Sequence, residues 1–315
     1  MGRTALDEVQ ARIRGRVVLN APMAELTTLG VGGPADLLAY PADRGDLTDL
    51  VVHLAEHDVP WLVLGNGSNL VVRDGGIRGA VVSLAEGFRE LERRDGPQEA
   101  PRVYVEAGVG LRRLVRWCVD QGIAGLEALA GIPGTVGGAV AMNAGAWGTE
   151  IGERVLELEV LSPEGQTRVL GRPELRFRYR GLDLPPGHVV LAALLEGEPA
   201  DPDQVRARTR QLHRQRQDTQ PVRERSAGSV FRNPPGEAAG RLIESCGLKG
   251  VRVGDAEVSR IHANFIVNLG HATAGHVVAL MGMIQERVYV KHGIRLEPEV
   301  HIVGDWAKGK VRVQE

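Results

Sequence analysis

Apolar residues recur along this chain with two different periods. Over residues 44–59, RGDLTDLVVHLAEHDV, Leu47, Leu50, Val51 and Leu54 are spaced three and four apart, which puts them on one face of a helix. The same spacing over Gly110–Gln121 gathers Leu111, Leu114, Val115 and Cys118 into a second amphipathic helix. Short unbroken apolar runs predict buried strands at Trp61–Leu64, Leu70–Val72, Ala80–Leu84 and Val189–Leu195. Val155–Leu161 and Thr167–Leu170 flank Pro163-Glu164-Gly165 and predict a hairpin.

The pattern changes near residue 200, where DPDQVRARTRQLHRQRQ opens a strongly polar helix. Asp201 suits its N-cap and Pro202 its first turn, and a domain boundary is placed there. Beyond it the sequence predicts a loop over 217–233, a helix at Ala238–Cys246, and strands near Val258 and at Ala263–Val267. A long helix at Ala274–Lys291, capped by Thr273, and a closing strand at Ile294–Val303 complete an α+β chain without internal repeats.

Totals narrow the classes. A length of 315 residues suggests roughly two or three domains. The net charge of −2 gives no basic excess for nucleic acid. No apolar run reaches the roughly 18 residues of a membrane span. The first residues, MGRTALDEVQARIRGR, lack the apolar centre of a signal peptide. Two cysteines, Cys118 and Cys246, are too few for a disulfide framework, and neither looks catalytic. Together these imply a reduced, cytoplasmic location. Glycine is the outlier: its residues cluster at 30–33, 65–79, 131–148 and 228–254, which points to functional loops.

Two motif matches fail in context. GVGGPA at 30–35 fits a dinucleotide fingerprint, but APMAELTTL before it is no buried strand and Pro34 interrupts it. HLAEH at 53–57 fits H-x-x-E-H of some zinc proteases. A solvated helix face accounts for His53, Glu56 and His57, and no metal is expected.

Five stretches remain open between a ligand-binding and a structural reading. GNGSN at 65–69 follows a buried strand; it is either a simple turn or a nest of N–H groups for an anion. GIPGTVGGAVAMNAGAWG at 131–148 is uncharged; it either packs closely or meets a pyrophosphate through backbone N–H groups. SAGSVFRNPPG at 226–236 offers Ser229 as a turn residue or a proton donor. In RFRYRG at 176–181, Arg176, Arg178 and Arg180 would share one strand face, solvated or anion-reading. In LEPEVHIVG at 296–304, Glu297, Glu299 and His301 would share another.

In their order, TLGVGGPADLL, LGNGSNLVV, GIPGTVGGAVAMNAGA, Tyr179-Arg180, Gln220-Pro221, SAGSVFRNP, HANFIVN and LEPEV resemble the UDP-N-acetylenolpyruvoylglucosamine reductases, or MurB family. The resemblance runs from about Leu26 to Gly304. It implies a two-subdomain FAD-binding fold of the vanillyl-alcohol-oxidase (PCMH) type, followed by an α+β substrate-binding domain. The corresponding domains are 20–86 and 87–199 for FAD, 200–305 for substrate, and a tail at 306–315. FAD would be tight but non-covalent, with NADPH as hydride donor and a UDP-sugar as substrate. Reduction of UDP-N-acetylglucosamine enolpyruvate to UDP-N-acetylmuramate, for peptidoglycan, would follow. Flavin N5 would deliver hydride to the enolpyruvyl β-carbon, and an acid would protonate the α-carbon.

Carried over residue by residue, the resemblance implies catalytic roles for Arg180, Ser229 and Glu299, with Ser229 as the acid. The FAD contacts would be Gly65, Asn66, Gly67, Ser68 and Asn69, then Gly131, Ile132, Pro133, Gly134, Thr135, Gly137, Gly138, Ala139, Asn143 and Gly145. Tyr179, Arg232 and Asn233 would bind substrate. Arg232 replaces a lysine of many relatives, and GLDLPPG after Arg180 departs from the family's usual segment. The compact third domain matches the shorter subtype, without an extra flap. His262 fits a packed structural role. Two competing readings are a non-catalytic nucleotide-sugar-binding or regulatory protein on this scaffold, and another flavin oxidase of the same fold.

Overall fold

A computed structural model describes residues 2–97 and 100–307. From residue 308 on, the expected tail lies outside the described residues. Eight α-helices are observed among the described residues: α1 (Gly2–Arg12), α2 (Met23–Leu26), α3 (Arg44–Glu56), α4 (Leu111–Asp120), α5 (Val136–Ala141), α6 (Pro202–Thr219), α7 (Ala239–Ser245) and α8 (Ala274–His292). None is long and apolar enough to cross a membrane. The chain is α+β and divides into two compact units: 1–18, 37–66 and 79–215 form the first, and 19–36, 67–78 and 216–315 the second.

The core of the first unit is a five-stranded antiparallel sheet. Its order is Thr167–Gly171, Val155–Leu161, Val189–Glu196, Pro101–Glu106, Leu91–Asp95. VVLAALL is apolar at every position because it is the middle strand, buried on both faces. α5 packs on this strand. Trp61–Leu64 runs parallel to the strand Ile77–Ser83, with Trp61 opposite Ala80. The predicted helix around Leu47–Leu54 is α3, capped by Asp43, whose carboxylate accepts from the Asp46 amide at 3.0 Å.

One reading of α3 is corrected. His53 is only 1% exposed and belongs to the inner side of the helix, while Glu56 and His57 are exposed as expected. The reason is α1, a helix the sequence reading did not identify. Leu6, Val9 and Ile13 join Leu50, Val51 and Leu54 in one core, so α1 covers a side of α3 that would otherwise be wet.

The second unit has its own core of Leu29, Val31 and Val71 with residues of α7, α8 and a four-stranded sheet. The sheet order is Arg225–Ser229, Phe265–Asn268, Ala256–Val258, Arg252–Val253, all antiparallel. α8 starts at Thr273, whose hydroxyl accepts from the His276 amide, and ends at Gly293 in the left-handed region, φ 69°. The expected closing strand is shorter than Ile294–Val303: only His301–Val303 is strand, parallel to Leu70–Val72. Before it, Leu296 and Val300 are buried, Glu297 is exposed and Glu299 is half-buried, so Glu297, Glu299 and His301 do not form one uniform strand face. GVGGPA enters the strand Pro34–Tyr40 rather than a helix, as its rejection as a dinucleotide fingerprint requires.

Candidate active site

The two glycine-rich motifs contribute to one cavity in the first unit. It has a volume of about 130 Å³ and is mainly apolar, lined by Leu64 and Gly65 of the first motif and by Thr135, Gly137, Gly138 and Ala141 of the second. Ala107, Gly108, Leu184 and His188–Val190 complete much of the wall; the sequence reading had assigned them no role. The central strand ends here, which brings Val189 and Val190 to the cavity.

The glycines have separate tasks. At Gly138 an added Cβ would sit 3.5 Å from the Thr135 hydroxyl, an ordinary contact, beside the cavity. At Gly137 it would come within 2.8 Å of the Ala107 Cβ, so this glycine serves close packing of α5. Gly145 likewise lets the turn 145–150 close, since a Cβ would lie 2.3 Å from the Thr149 carbonyl oxygen.

A cradle of α5 amides, by contrast, is not what the chain builds. Val136 donates to the Val109 carbonyl (2.8 Å), Gly137 to the Ala107 carbonyl (2.9 Å) and Ala139 to the Thr135 carbonyl (2.9 Å). The Gly138 amide is directed at the Thr135 hydroxyl at 3.4 Å. The expectation that N–H groups throughout 131–146 face a pyrophosphate is therefore corrected for 136–139, whose amides are already committed. Among the described residues, the amides of Gly65, Asn66, Gly134 and Thr135 make no turn or loop bond to a backbone carbonyl. These positions, with the side-chain-free wall at Gly65 and Gly138, fit one portion of a flat, phosphate-bearing cofactor. Of the other expected contacts, Asn66, Gly131, Ile132, Pro133, Gly134, Ala139 and Gly145 do not line the cavity.

Asn143 does not line the cavity either. It is 1% exposed and its amide is fully engaged. Its Nδ2 donates to the Glu150 carboxylate and to the Arg178 carbonyl (3.0 Å), and its Oδ1 accepts from the Gly152 amide (3.0 Å). This anchors the hairpin Phe177–Arg178/Gly181–Leu182, whose tip is Tyr179-Arg180. Arg180 has φ +57°, unusual for a non-glycine residue. Its guanidinium lies 3.6 Å from Glu150 and 4.8 Å from the Tyr179 ring. Arg176, Arg178 and Arg180 do not share a strand face, because the strand stops at Arg178, which pairs with Asp183 at 2.6 Å. Glu150 is a residue the sequence reading missed; its signal was a lone carboxylate just after a glycine-rich uncharged run.

The second unit holds a pocket of about 270 Å³ lined by Ser229, Asn233, Arg241, Glu244, His262 and Asn264 among others. Ser229 ends a strand with a bulge at Gly228, φ +77°. Asn264 fixes the next residues: its Oδ1 accepts from the Phe231 amide (3.0 Å) and its Nδ2 donates to the Phe231 carbonyl (2.8 Å). The Val230 carbonyl accepts from the Glu299 amide at 2.8 Å, so the segments bearing Ser229 and Glu299 are neighbours. Asn69 holds the same place from the other side, donating to the Glu299 carbonyl at 3.1 Å. Gly67 packs under it, where a Cβ would meet the Leu26 carbonyl oxygen at 2.2 Å. Ser68 is half-buried. Asn233 accepts from the Ala239 amide at 3.0 Å, and Arg232 lies outside the pocket wall.

His262 combines packing with the pocket. Its Nδ1 accepts from the Asn264 amide (3.2 Å), which leaves the proton of the neutral ring on Nε2. Its ring meets Phe265 edge-on at 5.0 Å, and burial, helped by Lys249, holds its pKa below the usual value. Arg216 was also missed. It is 8% exposed, its Nε has no acceptor in the protein, and burial pushes its pKa down to about 10. Its signal was spacing: Val205, Thr209, Leu212 and Arg216 form one helical stripe.

Comparison with known proteins places these features. Residues 35–171 match an FAD binding domain, and residues 220–303 match the C-terminal domain of UDP-N-acetylenolpyruvoylglucosamine reductase. The UDP-N-acetylenolpyruvoylglucosamine reductase of Geobacter metallireducens is 48% identical over 94% of this chain and 97% of its own. That of Alkalilimnicola ehrlichii is 48% identical over 90% and 93%. The crystal structure of UDP-N-acetylenolpyruvylglucosamine reductase (MurB) from Thermus caldophilus superposes with a TM-score of 0.79 at 40% identity, covering 94% of this chain and all of that one. The chain thus carries an FAD-binding domain and belongs to the UDP-N-acetylenolpyruvoylglucosamine reductase family of oxidoreductases.

Proposed function

We propose that this protein reduces UDP-N-acetylglucosamine enolpyruvate to UDP-N-acetylmuramate with NADPH, in the cytoplasm, as a step toward peptidoglycan. The observation that carries the flavin site is the convergence of Gly65 with Thr135, Gly137 and Gly138 on one apolar cavity. FAD held there supplies the hydride. The amides of Gly65, Asn66, Gly134 and Thr135 are the donors open to its phosphates. Residues 20–86 and 87–199 serve as the FAD subdomains and 200–305 as the substrate domain.

The chain's own residues do the rest. Ser229 donates a proton to the α-carbon of the substrate as negative charge builds there. Arg180 and Glu299 stabilise that charge, which develops only in the transition state. Asn143 and Glu150 act on Arg180 as positioning residues: they fix the strained turn and aim the guanidinium. Tyr179, Arg232 and Asn233 face the sugar nucleotide. Arg216 meets a phosphoryl oxygen, since a buried guanidinium whose Nε has no acceptor suits an anion.

Ser229→Ala separates the two halves of the reaction. NADPH should still reduce the flavin at the normal rate, while reoxidation by the sugar nucleotide slows by about 10²–10⁴-fold in stopped-flow absorbance. Equal loss in both halves would make Ser229 a structural residue. A non-catalytic sugar-nucleotide binder on this scaffold would bind the substrate and never reoxidise the flavin.

A further inference from the structure

We propose that Glu8, His53 and His57 form a zinc site that ties α1 to α3. His53 lies in the last turn of α3 and His57 is its C-cap residue, four positions on, while Glu8 comes from α1. One ligand atom from each side chain lies within 4.8 Å of the other two. Glu56 of the run HLAEH is not part of the group, whose carboxylate is Glu8 of a different helix.

Three observations make this more than a chance grouping. First, His53 is 1% exposed whereas Glu8 and His57 are exposed, so the group reaches from the α1/α3 core to solvent, and an ion can enter. Second, the His57 Nδ1 lies 2.9 Å from the His53 carbonyl oxygen. A carbonyl only accepts, so Nδ1 carries the hydrogen and the Nε2 lone pair is left for a metal. Zinc-ligating histidines are commonly oriented this way, with the second ring nitrogen tied to a carbonyl or carboxylate. Third, the imidazole rings already lie close, with centroids 4.3 Å apart and planes tilted by 41°, at the end of one helix, so little ordering remains to be done.

The donor set selects the ion. Two imidazole nitrogens and one carboxylate, completed by water, suit zinc; calcium and magnesium take oxygen ligands. An ion equidistant from three atoms at the 4.8 Å limit would stand about 2.8 Å from each. Zinc bonds are near 2.0–2.1 Å, so the side chains must draw in by less than about 1 Å. The competitor for Glu8 is Arg12 at 4.0 Å, a solvent-exposed pair on the same helix and so a weak one. The ion would therefore pin the first helix onto the body of its unit, independently of the reaction.

The test uses the untagged full-length protein with its flavin in place, treated with a chelator, desalted and titrated with zinc by calorimetry. One zinc per chain should bind. His57→Ala and Glu8→Gln, both at exposed positions, should each weaken binding by at least about 10-fold, and Glu56→Gln should leave it unchanged. Zinc should also slow amide exchange in α1 of the unaltered protein but not of His57→Ala. Zinc uptake that is the same in His57→Ala as in the unaltered protein, or weakening by Glu56→Gln equal to that by Glu8→Gln, would overturn the site.

Discussion

In the first unit the cavity wall is mainly apolar, with glycines and alanines (Gly65, Gly108, Gly137, Gly138, Ala107, Ala141) beside larger aliphatic residues such as Leu64, Leu184 and Val190. In the second unit the pocket wall is mostly polar side chains: Ser229, Asn233, Arg241, Glu244, His262 and Asn264. Glycines in a largely apolar wall let a flat ring approach closely, and such a wall offers few groups for acid–base chemistry. A wall of hydroxyl, amide and charged groups can hold a polar substrate and move a proton. The difference suits a division of labour in which a cofactor supplies the redox chemistry and the protein supplies acid, charge and orientation.

The sharpest way to break this comparison lies in the charged hairpin of the first unit, Arg180 with Glu150. Arg180→Lys keeps the charge but loses the planar fork, and should slow substrate reoxidation about 10²-fold while leaving flavin reduction intact. Glu150→Gln should show the same selectivity with a smaller loss, about 10-fold, because it acts through Arg180. Stopped-flow traces of both half-reactions check this; equal effects on the two halves would remove the hairpin from the substrate site.

Next comes Arg216. Arg216 is buried and its Nε has no acceptor, and replacing a buried charge by an apolar chain of similar volume commonly leaves stability unchanged or raises it. Arg216→Met should therefore keep or raise the Tm of the ligand-free protein while weakening a phosphate-bearing ligand by about 10-fold or more. A lower Tm with unchanged ligand affinity would make Arg216 a scaffold residue.

The smallest expected effects separate packing glycines from cavity glycines. Gly137→Val pushes into Ala107 and should destabilise the apoprotein by about 1–3 kcal/mol in a urea titration. Gly138→Val, one residue on, should cost less stability yet lower flavin occupancy, read from the ratio of flavin to protein absorbance. The reverse ranking would mean that the wall has been assigned to the wrong glycine.

Much of the fold was legible because local pattern and burial agree. α3, α4 and α8 follow apolar periodicity and caps at Asp43 and Thr273, and Val189–Glu196 follows its unbroken apolar run. Where burial depends on a distant element, legibility ended. His53 reads as solvated until α1 covers it. The strand Pro101–Glu106, apolar at only alternate positions near its start, gave no signal strong enough to place it. The site divides in the same way. Glycine spacing marked the cavity, and family resemblance marked Arg180, Ser229 and Glu299. The partners that hold Arg180, namely Asn143 and Glu150, are defined by contacts that span up to 35 positions of sequence, and spacing carries no trace of them.

The central claim is that one bound flavin serves both NADPH and the sugar nucleotide. Its most direct test is an anaerobic absorbance titration of the purified protein. The protein should be yellow, lose its colour on one equivalent of NADPH, and regain it when UDP-N-acetylglucosamine enolpyruvate is added, with UDP-N-acetylmuramate formed in matching amount. A protein that cannot take up FAD, or a reduced flavin that the enolpyruvyl sugar nucleotide does not reoxidise, would contradict it.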